Sequence, residues 1–175
     1  MNIFVLHLNP HIAAQMHCDQ HVIKMIIESA QLLYTCIILN GIIGDKYHDR
    51  ITTAPITKSG TYGYKATHQN HPCAVWVQES VENYEWLYIM AKELCYEYTR
   101  RYKKVHATEE HIDWLGYVCP NISSRGLTDF ARVMPDEYID NTSNSYKQEY
   151  IVESYRNYYK SKTFATWKMN KPDWY

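Results

Sequence analysis

Phenylalanine, glycine and proline are scarce in this chain, its cysteines are unpaired in spacing, and neither sign of charge is in excess. Six glycines and six prolines among 175 residues leave no room for long flexible linkers or a collagen-like repeat. Cys18, Cys36, Cys73, Cys95 and Cys119 are odd in number and widely spread, with no Cys-x-x-Cys step. Reduced, buried thiols are therefore expected in place of a disulfide framework. Lys and Arg number 18 against 19 Asp and Glu, a formal net charge of −1. The overall positive field that most nucleic-acid-binding domains offer to phosphates is absent. No P-loop, Gly-x-Gly-x-x-Gly or Gly-x-Ser-x-Gly motif occurs, which argues against the familiar nucleotide-binding and hydrolase folds. No uninterrupted apolar run approaches a membrane span, and the opening residues lack the basic start and long apolar core of a secretory signal. A cytoplasmic protein with no membrane partner is expected.

Hydrophobic residues make up 46% of the chain, enough for one compact domain of this length to bury a sizeable core. Tyrosine outnumbers phenylalanine 17 to 3, so many rings should be half buried with a wet hydroxyl. Ile3 to Leu8 is a short apolar lead-in. Asn9-Pro10 supplies an N-cap and first-turn proline, and the next helix breaker is Asn40-Gly41, which predicts one long helix over residues 10–39. Residues 41–70 read as a long loop. Asn70-His71-Pro72 opens a second helix reaching about Tyr102, and Thr108 opens a third reaching about Val118. Residues 119–144 read as loop, with a helical turn over Leu127 to Val133, and Ser145 to Phe164 as a fourth helix. The fold class is mainly α: a compact single-domain helical fold, residues 1–175, with a long buried first helix, an extended N-terminal lead-in and long loops.

At about 100° per residue, His17, His21, Lys24, Glu28, Gln31 and Thr35 lie within roughly 40° of one direction on the first helix. The other directions are largely apolar. Such a stripe faces either solvent or a wet cleft, and its residue types suit the cleft: a carboxylate, Glu28, stands one turn from Lys24 and near His21, a grouping that tunes proton transfer or charge stabilisation. His17 and His21 have the i, i+4 spacing of a metal pair, but no His-Glu-x-x-His accompanies them, so no metal is expected.

Asp19-Gln20-His21, followed by Glu28 on the same helix, resembles the first helix of the bacteriophage pyrimidine-dimer DNA glycosylases of the endonuclease V type. The apolar lead-in is similar too, as are the Asn70-His71 step before a long aromatic-rich helix ending Arg100-Arg101-Tyr102-Lys103-Lys104 and the terminus Lys171-Pro172-Asp173-Trp174-Tyr175. The resemblance covers about two thirds of the chain and leaves residues 119–160 unmatched. It implies a glycosylase with abasic-site lyase activity whose nucleophile is the α-amine of the mature N-terminus, with Glu28 as the essential carboxylate. An α-amine, with an ordinary pKa near about 8, is partly neutral and nucleophilic at pH 7, as an ordinary lysine is not.

Three positions depart from the family pattern. Asn2 is larger than the small residue that favours methionine removal, so the amine belongs to Met1 or to Asn2. Gln31 and Ile27 stand where the family has basic residues, and Lys24 either restores that charge or is itself the amine. Substrate contacts are expected from His21 and Gln31 on the stripe, His71 at the helix entrance, Arg100, Arg101 and Lys103 in the basic cluster, and Trp174 in the tail. Trp76, Trp86 and Trp114 read as core. The expected partner is DNA bearing a damaged or modified pyrimidine, with no cofactor. Two alternatives stay open: a glycosidic-bond hydrolase or transferase acting on a free nucleotide or modified base, favoured by the neutral charge balance, and a non-catalytic nucleic-acid- or nucleotide-binding module.

Overall fold

The computed structural model describes residues 1–139 and 147–175. Among these residues are six α-helices and no β-strand: α1 Pro10–Gln15, α2 Asp19–Asn40, α3 Pro72–Glu79, α4 Val81–Tyr102, α5 Glu109–Gly116 and α6 Lys147–Lys160. The fold is mainly α, with α4 packed across both α1 and α2 and with α3 and α5 packed against α2 and α4. The expected start of the last helix at Ser145 lies outside the described residues.

Both long helices expected from the sequence are broken. Asn9 caps α1, its Oδ1 accepting the His11 and Ile12 N–H groups, but the helix stops at Gln15 and Cys18 adopts extended backbone before α2 begins. Residues 16–18 include neither glycine nor proline, and the break is held by side-chain bonds, one local and one from α6. His17 donates from Nδ1 to the Ala13 carbonyl at 2.7 Å, and the Cys18 N–H reaches Tyr159 Oη at 2.9 Å. The second break falls at Ser80, whose hydroxyl accepts the Asn83 N–H at 3.1 Å and so starts α4 afresh. Residues 127–133 are extended and not helical, fixed in part by Thr128 N–H on Asn83 Oδ1.

The lead-in is extended, and residues 2–6 are buried. It runs antiparallel to α2: Asn2 meets Glu28, and two residues later Phe4 stacks on His21 with ring centroids 4.6 Å apart. An 18-residue window of α2 has a mean hydropathy of 1.7, so by length and composition this helix is apolar enough to cross a membrane, although Asp19, Lys24 and Glu28 interrupt its apolar run. In this fold 61% of the window is buried by the protein itself. The face left open on α2 carries Gln20, Ile23, Lys24 and Ile27, with Glu28 and Gln31 half-buried at its edge. It is rotated from the expected stripe: His17, His21 and Thr35 are all buried.

Candidate active site

Glu28 is the centre of the site. Its side chain is 12% exposed, and its two oxygens face different partners. Oε2 accepts the Asn2 backbone N–H at 3.1 Å and lies 3.9 Å from the Met1 α-amine. Oε1 is 3.1 Å from Lys24 Nζ, whose side chain is 64% exposed. One carboxylate thus stands between two amines, a terminal one beside the core and an exposed one on the rim.

The terminal amine is held in place by the side chains behind it. Met1 packs against the core, its side chain 4% exposed. Asn2 donates from Nδ2 to the Val133 carbonyl at 2.8 Å, and its Oδ1 accepts from Ile3 N–H and more distantly from Tyr155 Oη at 3.3 Å. Tyr155 Oη shares its one proton between that contact and the Ala131 carbonyl at 2.7 Å, the nearer acceptor. Tyr155, Ala131 and Val133 lie in the stretch where sequence reasoning found no match; only the tyrosine richness of α6 signalled that rings would be placed there.

His71 caps α3, accepting the Cys73 N–H on Nδ1 at 3.2 Å, which leaves Nε2 as its free position. Its pKa is lowered, first by burial and then by the positive Met1 amine and by His68, while Glu28 opposes the shift. His71 therefore sits within electrostatic reach of both groups. His21 faces the other way. Tyr159 Oη, already accepting the Cys18 N–H, donates to His21 Nδ1 at 2.8 Å, and Phe4 and Phe164 cover the ring. Its pKa is pushed down to about 3 by burial, with His17, Lys24 and Lys162 adding to the effect. His21 is a buried, neutral ring closed off from solvent, which corrects the expectation of a substrate contact.

Gln31, one turn beyond Glu28, is half-buried and borders a large pocket. Asn2, Met1, Lys24, Glu28, His71 and Gln31 are thus gathered on one side of α2. The basic cluster is not part of that group. Arg101 is completely buried, bonded to Glu97, to Asp19 Oδ1 at 3.0 Å, and to the His17 and Gln15 carbonyls. Its guanidinium joins α1, α2 and α4 and is closed to a phosphate, which corrects the expectation of a substrate contact. Arg100 is paired with Glu97, and Lys103 is an exposed left-handed C-cap. Both stand beside the start of α2, about 14 Å of helix axis from Glu28. Trp174 is likewise no free tail residue: its indole Nε1 is buried, and the ring packs on Tyr159 and Tyr175 with the Arg156 guanidinium 5.3 Å above it. Trp76 and Trp86 are buried, while Trp114 is half-buried and stacked on Tyr34. No cluster of three metal-ligating side chains occurs among the described residues.

The sequence profile of the pyrimidine dimer DNA glycosylases matches residues 1–110. The chain belongs to that family. No individual curated protein and no solved structure matches it. The matched segment contains both amines, Glu28, His71 and Gln31, and stops before every residue that seats Asn2 from the C-terminal side. Family membership supports DNA glycosylase activity and DNA as the partner.

Proposed function

We propose that this pyrimidine dimer glycosylase family member is a DNA glycosylase with abasic-site lyase activity on damaged or modified pyrimidines, with the Met1 α-amine as nucleophile. The observation that carries this reading is the terminal amine 3.9 Å from the Glu28 carboxylate. The amine lone pair attacks C1′ as the C1′–N bond breaks and its electrons leave with the base. Glu28 stabilises the oxocarbenium-like centre and accepts the amine proton. Glu28 returns its proton to O4′ as the ring opens to a Schiff base; the carboxylate then takes a C2′ proton as the 3′ phosphate leaves by β-elimination, and water hydrolyses the imine to release the enzyme. If Met1 is removed, the new amine is that of Asn2, whose nitrogen already stands 3.1 Å from the same oxygen.

Borohydride should trap a covalent adduct with an abasic duplex and with dimer-containing DNA, and mass mapping should place it on residue 1 or 2. Glu28→Gln should abolish trapping and leave DNA binding in place. An adduct mapped to Lys24 would move the nucleophile to the rim. Absence of any adduct across damaged, abasic and modified-base duplexes overturns the reading. The free-nucleotide alternative is favoured by the net charge of −1 and by Ile27 and Gln31 at the family's basic positions; it predicts activity on mononucleotides and no detectable duplex binding.

A further inference from the structure

The reaction at C1′ employs the terminal amine and Glu28 and leaves the His71 ring without a task. That ring is half-buried at the start of α3, and the chain holds it there by two anchors. Before it, the Thr67 N–H bonds Thr35 Oγ1 on α2 at 3.1 Å, and the chain then turns through His68, whose left-handed backbone (φ 49°) lets its carbonyl accept the His71 N–H at 2.8 Å. After it, the Cys73 thiol lies 3.9 Å from Asn2 Oδ1, and the Asn2 N–H is bonded to Glu28. His71 is thus tied from both directions to the residues that carry or hold the carboxylate.

The bonds of the ring decide where its proton sits. Nδ1 accepts the Cys73 N–H at 3.2 Å, so it carries no proton, and the one ring proton of a neutral imidazole is on Nε2. Nε2 has no partner among the described residues. Burial and the positive Met1 amine both disfavour a second ring proton. His71 therefore cannot take a proton from the attacking amine; it can only donate a hydrogen bond. The other polar groups nearby are committed or turned away: Lys24 stands on Glu28 at 3.1 Å, and Gln31 opens on the cavity between α2 and the loop through Ile56 and Lys65.

A departing pyrimidine offers such a donor one acceptor close to C1′. As the C1′–N1 bond breaks, its electron pair spreads from N1 over the adjoining C2 carbonyl, and O2, three bonds from C1′, gains negative charge. The N1–C2–O2 amide is the same in an intact pyrimidine and in one saturated at C5 and C6. We propose that His71 Nε2–H donates a hydrogen bond to O2 of the leaving pyrimidine and stabilises the charge that builds there. The assignment rests on the glycosylase reading and adds to it the group that acts on the leaving base. The imidazole keeps its proton throughout: the electron pair goes with the base, and N1 takes a proton from water.

The test compares single-turnover rates of borohydride-trapped adduct on a duplex with a thymine dimer, where C1′–N1 must break first, and on an abasic duplex, where no base leaves. His71→Asn keeps an oxygen near the Nδ1 position to cap α3 and lacks the Nε2 donor. His71→Gln carries an amide N–H to the Nε2 position. The Asn protein should lose about a hundredfold on the dimer and change by less than about twofold at the abasic site, and the Gln protein should recover about tenfold of the dimer rate, taken as a ratio to its own abasic rate. Equal losses on both duplexes would place His71 in the seat of the amine and overturn the assignment. An unchanged dimer rate in the Asn protein, or a Gln protein no better than the Asn one, overturns it too. Wild-type adduct at the abasic site with none on the dimer overturns the donor role and leaves the amine chemistry standing; no wild-type adduct on either duplex overturns both.

Discussion

Each polar atom of the Asn2 side chain is engaged, and its backbone nitrogen holds Glu28, so this one residue couples the amine, the carboxylate and the C-terminal segment. Asn2→Ala should slow adduct formation at an abasic site by at least tenfold, because a misplacement near 1 Å is costly to a two-centre reaction. Tyr155→Phe removes only the hydroxyl that steadies Asn2 and Ala131, and should cost about 1 kcal/mol of stability in a denaturant titration with a smaller loss of rate. Equal rates for all three proteins would show that the amine is not positioned from behind. Beneath this seat, His17 and His21 are buried and neutral. His17 donates from Nδ1 to Ala13, its Nε2 has no partner among the described residues, and burial followed by the nearby Arg101 charge pushes its pKa down to about 4 despite that bond. The folded state therefore refuses protons that the unfolded chain takes up near pH 6.5. Stability is fully present above that value and is lost as pH falls toward about 4 for His17 and about 3 for His21. The denaturation midpoint should be flat above pH 7 and fall steeply between pH 6 and 4.5, with His17→Gln reducing the slope by about one proton, or about 1.4 kcal/mol per pH unit. A flat midpoint across that range would contradict the burial of these rings.

At the scale of elements, the junction of α1, α2 and α4 is made by one arginine. Arg101 satisfies two helix-end carbonyls and two carboxylates from a fully buried position. Removing it takes the ion-pair partner from Asp19 and leaves Glu97 with Arg100 alone, so Arg101→Ala should cost about 3–5 kcal/mol, read as a fall in melting temperature. Arg101→Lys should recover little of this, since a single ammonium cannot serve four acceptors held in a fork geometry. The same junction explains which elements were legible in the sequence. The Asn9-Pro10 and His71-Pro72 starts and the Asn40-Gly41 stop are local signals, written in side-chain caps and backbone preference, and the structure has all three. The breaks at residues 16–18 and at Ser80 are not local: the first exists because Arg101, Tyr159 and Asp19 hold the chain there, and no residue spacing reveals a partner 82 or 141 positions away. Glu28 and Lys24 were legible for the opposite reason, since i, i+4 on a helix fixes their contact without help from elsewhere. Arg101 misled because a basic run at a helix end looks alike whether its members face solvent or the interior.

Taken whole, the molecule is a matched N-terminal segment closed by an unmatched C-terminal one. Beyond residue 110 the chain returns repeatedly to the site's supports: Val133 and Tyr155 to Asn2, Arg156 Nε to the Leu6 carbonyl at 3.0 Å, Tyr159 to Cys18 and His21, Trp167 Nε1 to the Met16 carbonyl at 3.0 Å, and the Lys168 N–H to Asp19 at 2.9 Å. These bonds cover both the extended lead-in, which has no strand neighbour among the described residues, and the α1–α2 break, where backbone groups would otherwise be buried without partners. The closing segment also covers apolar surface: Tyr155 and Tyr159 are fully buried against Phe4. A fragment ending at residue 118, which keeps every family-matched residue and the whole of α5, should therefore lack a cooperative unfolding transition by circular dichroism and should give no borohydride adduct. The full chain carrying Tyr159→Phe, which loses one hydroxyl and keeps the ring, should retain cooperative unfolding at a lower midpoint. A fragment that melts cooperatively and forms the adduct would show that the amine is seated by the matched segment alone, and that the C-terminal third serves only the surface.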